Sequence, residues 1–435
     1  MGKHSNQRAA SHGSRSSLFQ RRPVTLPSLH NPWRIGLMGF LGLALLVTLV
    51  GLVLLRPTTP TSEHTSAEFS QTYALNHPEV HGTVTTVDHA LCQSDQTGKA
   101  FDKPPLIPAD PGGDCTRALI DITSGRNAGK QTQLVHFGVA GDPQLKVGDE
   151  IVLSESTADN DGDASVNYSF ADYQRTGNLV LWAIVAAIVI IVFAAWHGVR
   201  SLIGLGLSLA AIFYYLIPSL IEGHSPLLVA MVTSAAIIFV VVPLVHGLNW
   251  KAASALGGAL LALLLASFLA HASIDSTQLQ GLSSEDNLKL LLYMPGVSIV
   301  GVLLCGFIIG ALGSLNDIAV AQASTVMELH NLDPTARPGR LFLSAMKVGR
   351  DHIASMVYTI VLTYTGASLP LLMLITAAER PATQILSSDL VSTELLRSAL
   401  GAMALTLAVP MTTFIAALTI PRRRPVAVTH EAEPA

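Results

Sequence analysis

Residues 290–329 read LLLYMPGVSIVGVLLCGFIIGAL, then GSLND, then IAVAQASTVMEL. The first segment is predominantly apolar and long enough to cross a hydrocarbon core, which takes roughly 20 helical residues at 1.5 Å rise each. The second, Gly313-Ser314-Leu315-Asn316-Asp317, is polar, and the third resumes apolar character as far as Leu329. The whole stretch would be about 60 Å long as helix, more than one straight span can use. Either the helix is interrupted near Asp317, or it continues as a second amphipathic helix along the cytoplasmic face, with Asp317, Ala321, Ser324 and Glu328 on one side. An interruption would mark a cavity, because non-helical backbone at membrane depth needs protein or water beside it.

Working outward by the same rule, the chain contains eight candidate spans: Ile35–Leu55, Leu179–Trp196, Leu202–Ile221, Pro226–Val245, Ala252–Ala270, Leu290–Leu312, Ser355–Ile375 and Leu400–Ile420. The composition agrees. Charged residues make up 13% of the 435 residues, against about 25% in soluble domains, while apolar residues reach 50% and mean hydropathy is +0.47. This excludes an ordinary soluble enzyme. A net charge of −4 leaves no basic surplus for nucleic acid, and three cysteines are too few for a disulfide-dense scaffold. The first run exceeds a signal-peptide core and is followed by Arg56-Pro57-Thr58 without a small-residue cleavage site, so it reads as an uncleaved anchor.

Lys and Arg near span ends set orientation. With the N-terminal tail in the cytoplasm, Arg200, Lys251, the cluster Arg337, Arg340, Lys347 and Arg350, and the tail Arg422-Arg423-Arg424 all fall on the cytoplasmic side. The expected plan is a disordered cytoplasmic tail (1–34), an anchor (35–55), a linker (56–79), a β domain (80–170), a seven-helix bundle (179–420) and a basic-start cytoplasmic tail (421–435). Both termini are then cytoplasmic and residues 56–178 extracytoplasmic. Within the exported region, Val80–Asp88, Arg117–Thr123, Gln131–Phe137, Glu150–Glu155 and Ser165–Phe170 alternate or are β-branched, with turn residues between them. These five short strands suggest a small OB-like barrel or sandwich.

Cys92 and Cys115 bracket a Pro/Gly-rich loop in that domain, where an oxidising compartment would join them; the alternative is two buried thiols. Cys305 lies in a span and reads as a packing residue. Asp159, Asp161, Gly162 and Asp163 lack the acidic twelfth position of a calcium loop. Gly125–Lys130 is one residue short of a P-loop, and Pro78 separates His77 from His81. No metal or cofactor is expected. Gly306, Gly310 and Gly313 have the helix-face spacing that permits close helix packing. In the seventh span Asp351, Ser355, Thr359 and Thr363 repeat every four residues behind Arg350, with Tyr358 and Gln322 as flanking candidates. Ionisable groups at this depth face a pathway or pair with one another. The competing reading is an interfacial Arg350-Asp351 anchor with hydroxyls bonded to their own helix. Pro218, Pro243, Pro295-Gly296, Pro370 and Pro410 mark candidate kinks.

Several motifs resemble the bacterial YibE/F-like family of multi-pass membrane proteins, over most of the chain from about Val80 to Leu372. They are Tyr168-Ser169-Phe170-Ala171-Asp172-Tyr173-Gln174-Arg175; Pro218 with Gly223 and Pro226; Gly247-Leu248-Asn249-Trp250-Lys251; Gly310 to Val320 leading to Glu328-Leu329; and Gly349-Arg350-Asp351 leading to Tyr364-Thr365-Gly366. The resemblance implies one anchor, an exported domain and a seven-span bundle in the cell membrane, and it supplies no substrate or reaction. His352 departs from the apolar residue expected after Arg350-Asp351.

The leading expectation is a permease or channel for a small solute or ion. Asp317, Asp351, Arg350, Ser355, Thr359 and Thr363 would line a polar route between the sixth and seventh spans. The second expectation is an envelope assembly or sensing protein whose β domain binds an extracytoplasmic partner, or which forms a homo-oligomer. No H-E-x-x-H, G-x-S-x-G or Cys/His nucleophile pattern occurs, so no enzyme is expected.

Overall fold

The computed structural model describes residues 31–420 apart from 67, 70–76, 93, 103–112, 161–162, 283 and 379–380. Most of the expected disordered tail, the basic tail at 421–435, part of the linker, the loop at 103–112 and Asp161-Gly162 lie outside the described residues. Helix α1 (Pro32–Leu54) starts three residues before the expected anchor. Asn31 accepts a side-chain hydrogen bond from the Trp33 amide and Pro32 sits at the first helical position, so Arg34 is already buried helix and not tail.

The β region has six strands, not five: β1 (Glu79–Ala90), β2 (Ala100–Phe101), β3 (Cys115–Ile122), β4 (Gln131–His136), β5 (Glu150–Asn160) and β6 (Asp163–Tyr173). They form one antiparallel sheet in the order β2-β4-β3-β1-β5-β6. The sheet curls into a half-barrel over Val80, Val84, Ala118, Ile120, Leu134, Ile151 and Leu153. Residues 97–101 stitch its open side. Gly98 N donates to Gln133 O at 2.9 Å, and Tyr168 N donates to Gly98 O at 2.6 Å. The extra strand was illegible because two residues carry no periodicity. Gly125 to Lys130 form the β3–β4 turn. Cys92 and Cys115 are joined as a disulfide with their Cα atoms 5.2 Å apart.

Six described helices are long and apolar enough to cross a membrane, or seven if a bent pair counts as one span. The expected second and third spans lie in one helical stretch: α2 (Thr176–Ala211), a π-turn (Ile212–Leu216) and α3 (Ile217–Ile221). Its backbone breaks at Ala195 (φ 49°, ψ −132°), a conformation that L-residues rarely adopt. A Cβ on Gly198 would lie 2.7 Å from Ile190 O, so the chain bends tightly there. The break falls inside the expected second span, and the whole stretch Thr176–Ile221 counts as one helix of membrane-crossing length.

Helices α4 (Pro226–His246) and α5 (Trp250–Thr277) follow. The Asn249 side chain caps α5 by accepting from Ala252 N at 2.8 Å. Next come α6 (Glu285–Tyr293) and α7 (Ile299–Leu332). The break in the stretch quoted at the outset falls at Met294–Ser298, around Pro295-Gly296. Gly313–Asp317 is continuous helix. The interrupted-helix expectation is therefore corrected, since five polar or small residues cost a helix far less than a proline does. The chain ends with α8 (Pro338–Ala367), α9 (Leu369–Ala377), α10 (Ala382–Leu386) and α11 (Asp389–Thr419). Helices α8 and α9 meet at a 66° bend, where Pro370 follows Ser368.

Helix α7 packs against α4, α5, α8 and α11. Close approaches use Gly257 against Leu37, Gly258 against Thr412, Gly301 against Pro226 and Gly349 against Val409. Of the three glycines expected to serve this purpose, Gly306 and Gly313 have nothing within 4 Å of a built Cβ. Gly310 alone meets a neighbour, the Tyr364 hydroxyl.

Candidate functional site

Two contacts fix how α7 and α8 run. A Cβ on Gly310 would lie 2.6 Å from Tyr364 Oη, and one on Gly349 would lie 3.0 Å from Gln322 Nε2, so the helices are antiparallel neighbours. Depth follows from α5 and α11. Ser254 Oγ lies 2.8 Å from Thr419 Oγ1, and Gly258 faces Thr412. Thr413 Oγ1 donates to Gln322 Oε1 at 3.0 Å. Gln322 thus stands level with Gly258, about 12 Å along α5 from Trp250. Asp317 is five residues earlier in α7, roughly 20 Å from the Trp250 end of a helix about 42 Å long. Asp317 is therefore level with the middle of α5, and Ser355 comes level with it.

Helix α7 presents Gly306, Gly310, Gly313 and Asp317 on one exposed face, continuing to Glu328. The polar side expected of the amphipathic alternative is present, but it lies on one continuous helix and not on a second one. Arg350, Asp351, Ser355, Thr359 and Thr363 are likewise exposed, on a side of α8 turned away from buried Leu341, Ala345 and Gly349. Thr359 Oγ1 donates to Ser355 O at 3.3 Å and Thr363 Oγ1 to Thr359 O at 2.7 Å. These hydroxyl protons are used within the helix, while oxygen lone pairs still face outward. Asp351 lies about 6 Å from the level of Asp317, one turn toward Gln322, and no hydrogen bond or ion pair joins Asp317 to the α8 stripe among the described residues. Tyr358 flanks the stripe and is 70% exposed, whereas Gln322 is fully buried.

Sequence reasoning did not find the buried cluster of Gln322, Thr413 and Gly349. A glutamine at i+5 from an acid carries no periodic signal; its meaning comes from α11, almost one hundred residues away. Among the described residues no three His, Cys, Asp or Glu side chains come together as a metal site requires.

Outside the bundle the linker is clipped down. Thr58 N and Oγ1 both donate to the Glu222 carboxylate, at 2.7 and 2.5 Å, and hold that carboxyl below its usual range. Ser66 N donates to Tyr293 O at 2.8 Å, and Phe69 meets the Tyr293 ring edge-on.

The chain is thus a bundle of long apolar helices, several of membrane-crossing length, carrying a separate β half-barrel after its first helix. The profile of the YibE/F-like protein family matches residues 182–422, and the chain belongs to that family. The match starts after the Tyr168–Arg175 motif and takes in Gly247–Lys251, Gly310–Val320 and Gly349–Asp351. No curated protein and no solved structure matches the chain.

Proposed function

We propose that the chain is an integral membrane protein that conducts a small cationic solute or ion along the α7–α8 face, with Asp317 as its central ligand. The observation that carries this is the position of Asp317, level with the middle of α5, on an open glycine-lined face, with no ion pair among the described residues. An acid at this depth is costly unless it serves a pathway or finds a partner. Asp351 and the outward lone pairs of Ser355, Thr359 and Thr363 add oxygen acceptors spread over about 18 Å of α8, a series of sites suited to a moving cation; Arg350 would steer its approach. Both termini would be cytoplasmic and residues 56–178 extracytoplasmic, as the Lys and Arg distribution requires. No catalytic role is proposed.

The test is flux of protons and monovalent cations into vesicles holding the full chain, with Asp317→Asn and Asp351→Asn as variants. Loss of flux with Asp317→Asn at unchanged folding supports the reading; wild-type flux in both variants rejects it.

The β half-barrel favours a second reading. Its five long strands lie in the order β4-β3-β1-β5-β6, that of an OB-fold, a scaffold used for binding. A phenotype that survives both Asp substitutions but not loss of the β domain would favour an envelope assembly or sensing role with an extracytoplasmic partner.

A further inference from the structure

Far from Asp317, helices α1, α4 and α5 enclose a groove of about 610 Å³, within the size range of small-molecule sites. Its walls are apolar along most of their length, with Leu41 and Gly42 from α1, Phe239 and Pro243 from α4, and Leu256 from α5. Polarity enters at one end only, where the α4–α5 turn brings Asn249 and Trp250 into the lining. The Trp250 ring contributes to the lining, while its indole N–H is turned into the protein and buried.

The same end is positive. Arg34 is buried over the Trp250 ring, 4.3 Å from its centroid, with its Nε donating to Thr419 O at 2.7 Å, so the accessible cation is Lys251, partly exposed next to the lining residue Trp250. The three segments that meet there, residues 31–37, 195–201 and 244–253, contain Arg34, His197, Arg200, His246 and Lys251 and no Asp or Glu. An apolar slot with a cationic mouth at Lys251 is complementary to an amphiphile with an anionic head. A free phosphate would leave the slot empty, and a zwitterionic head would offset part of the charge attraction.

We propose that this groove is a binding site for an anionic phospholipid, with one acyl chain against Gly42 and Phe239 and the head-group phosphate at Lys251. The proposal rests on membrane insertion and not on transport. Gly42 is the informative position, because a Cβ built there meets nothing within 4 Å. A larger side chain grows into the slot instead of clashing with a neighbour.

The experiment is native mass spectrometry of the full chain, extracted in mild detergent from bilayers of equal phosphatidylglycerol and phosphatidylcholine. The wild type should retain a phosphatidylglycerol adduct. Gly42→Trp should lose it about tenfold, and Lys251→Gln should reduce the preference for the anionic lipid about fivefold, as removal of one cation near a head group implies. A second measurement needs no slot-filling variant: brominated phosphatidylglycerol should quench tryptophan fluorescence more than brominated phosphatidylcholine, and the difference should vanish in Trp250→Phe. Equal retention of both lipids, an adduct that persists in Gly42→Trp, or a lipid-free dimer occupying this face would overturn the site. Asp317→Asn should keep the adduct, so failure here and failure of the transport reading are separate results.

Discussion

Thr413 Oγ1 donates to Gln322 Oε1 at 3.0 Å where α7, α8 and α11 meet, and both residues are fully buried. Leaving one buried polar partner unsatisfied costs about 1–3 kcal/mol, while replacing both with apolar groups of similar shape is close to neutral. Thr413→Val should therefore lower the thermal midpoint in detergent, and Gln322→Leu/Thr413→Val should recover much of the loss. A double variant as unstable as the sum of the singles would show that this pair does not act as a unit.

The Cys92–Cys115 bridge closes a loop with a sequence separation of 23 residues. Chain-entropy reasoning assigns it about 3 kcal/mol. Cys115→Ser should destabilise the β domain by that order, measured by protease resistance of the 79–173 region with and without reductant. The helical bundle should be unaffected. Wild-type protein that is indifferent to reductant would argue that the half-barrel core alone suffices.

His136 gives the β domain a pH dependence of known sign. Burial holds its imidazole below the usual histidine range, with Asp142 pulling weakly the other way, and its ring meets Phe170 edge-on. The folded state therefore binds fewer protons than the unfolded chain. Stability is fully present above the unfolded pKa of about 6.5 and is lost as pH falls from there toward the lower folded value. Melting of the β domain should be earlier at pH 5.5 than at pH 7.5, and His136→Gln should flatten that difference. An unchanged slope in the variant assigns the effect to other groups.

The Glu222 carboxylate holds Thr58 through its amide and its hydroxyl. Because these bonds keep its pKa below the usual carboxylate range, the clip is present at neutral pH and is lost as acidification carries the group through its folded pKa. Glu222→Ala should raise hydrogen exchange at the amides of residues 58–65 without changing exchange within α5. Equal exchange in both proteins would mean that the linker is held elsewhere.

The sequence made some features legible for definite physical reasons. A long apolar run is self-reporting, so α1, α4 and α5 fall close to their expected places, whereas α11 starts eleven residues before Leu400. Asn31, Asn249 and Ser298 cap helix starts through chemistry that acts within three residues, a signal that apolar runs alone do not carry. What failed was non-local. A polar interlude at Gly313–Asp317 suggested a break, yet helix continuity depends on backbone bonds that Ser, Asn and Asp do not remove. Pro295-Gly296 does interrupt the chain. The glycine spacing at 306, 310 and 313 was read as a packing seam, but only tertiary structure shows that this face is open and that Gly257-Gly258 makes the close contacts. The depth of Asp317 likewise depends on α5 and α11.

The unbroken α7 has a mechanical consequence. It is a rod of about 51 Å, and it starts six residues beyond Tyr293, the residue that the linker grips through Ser66 and Phe69. Asp317 lies roughly 27 Å along that rod from Ile299, so a tilt of only about 5° at the outer end displaces the carboxylate by roughly 2 Å. A stiff lever whose start lies near the linker's grip on Tyr293 and whose middle carries Asp317 turns a small movement of the linker into a shift of that carboxylate.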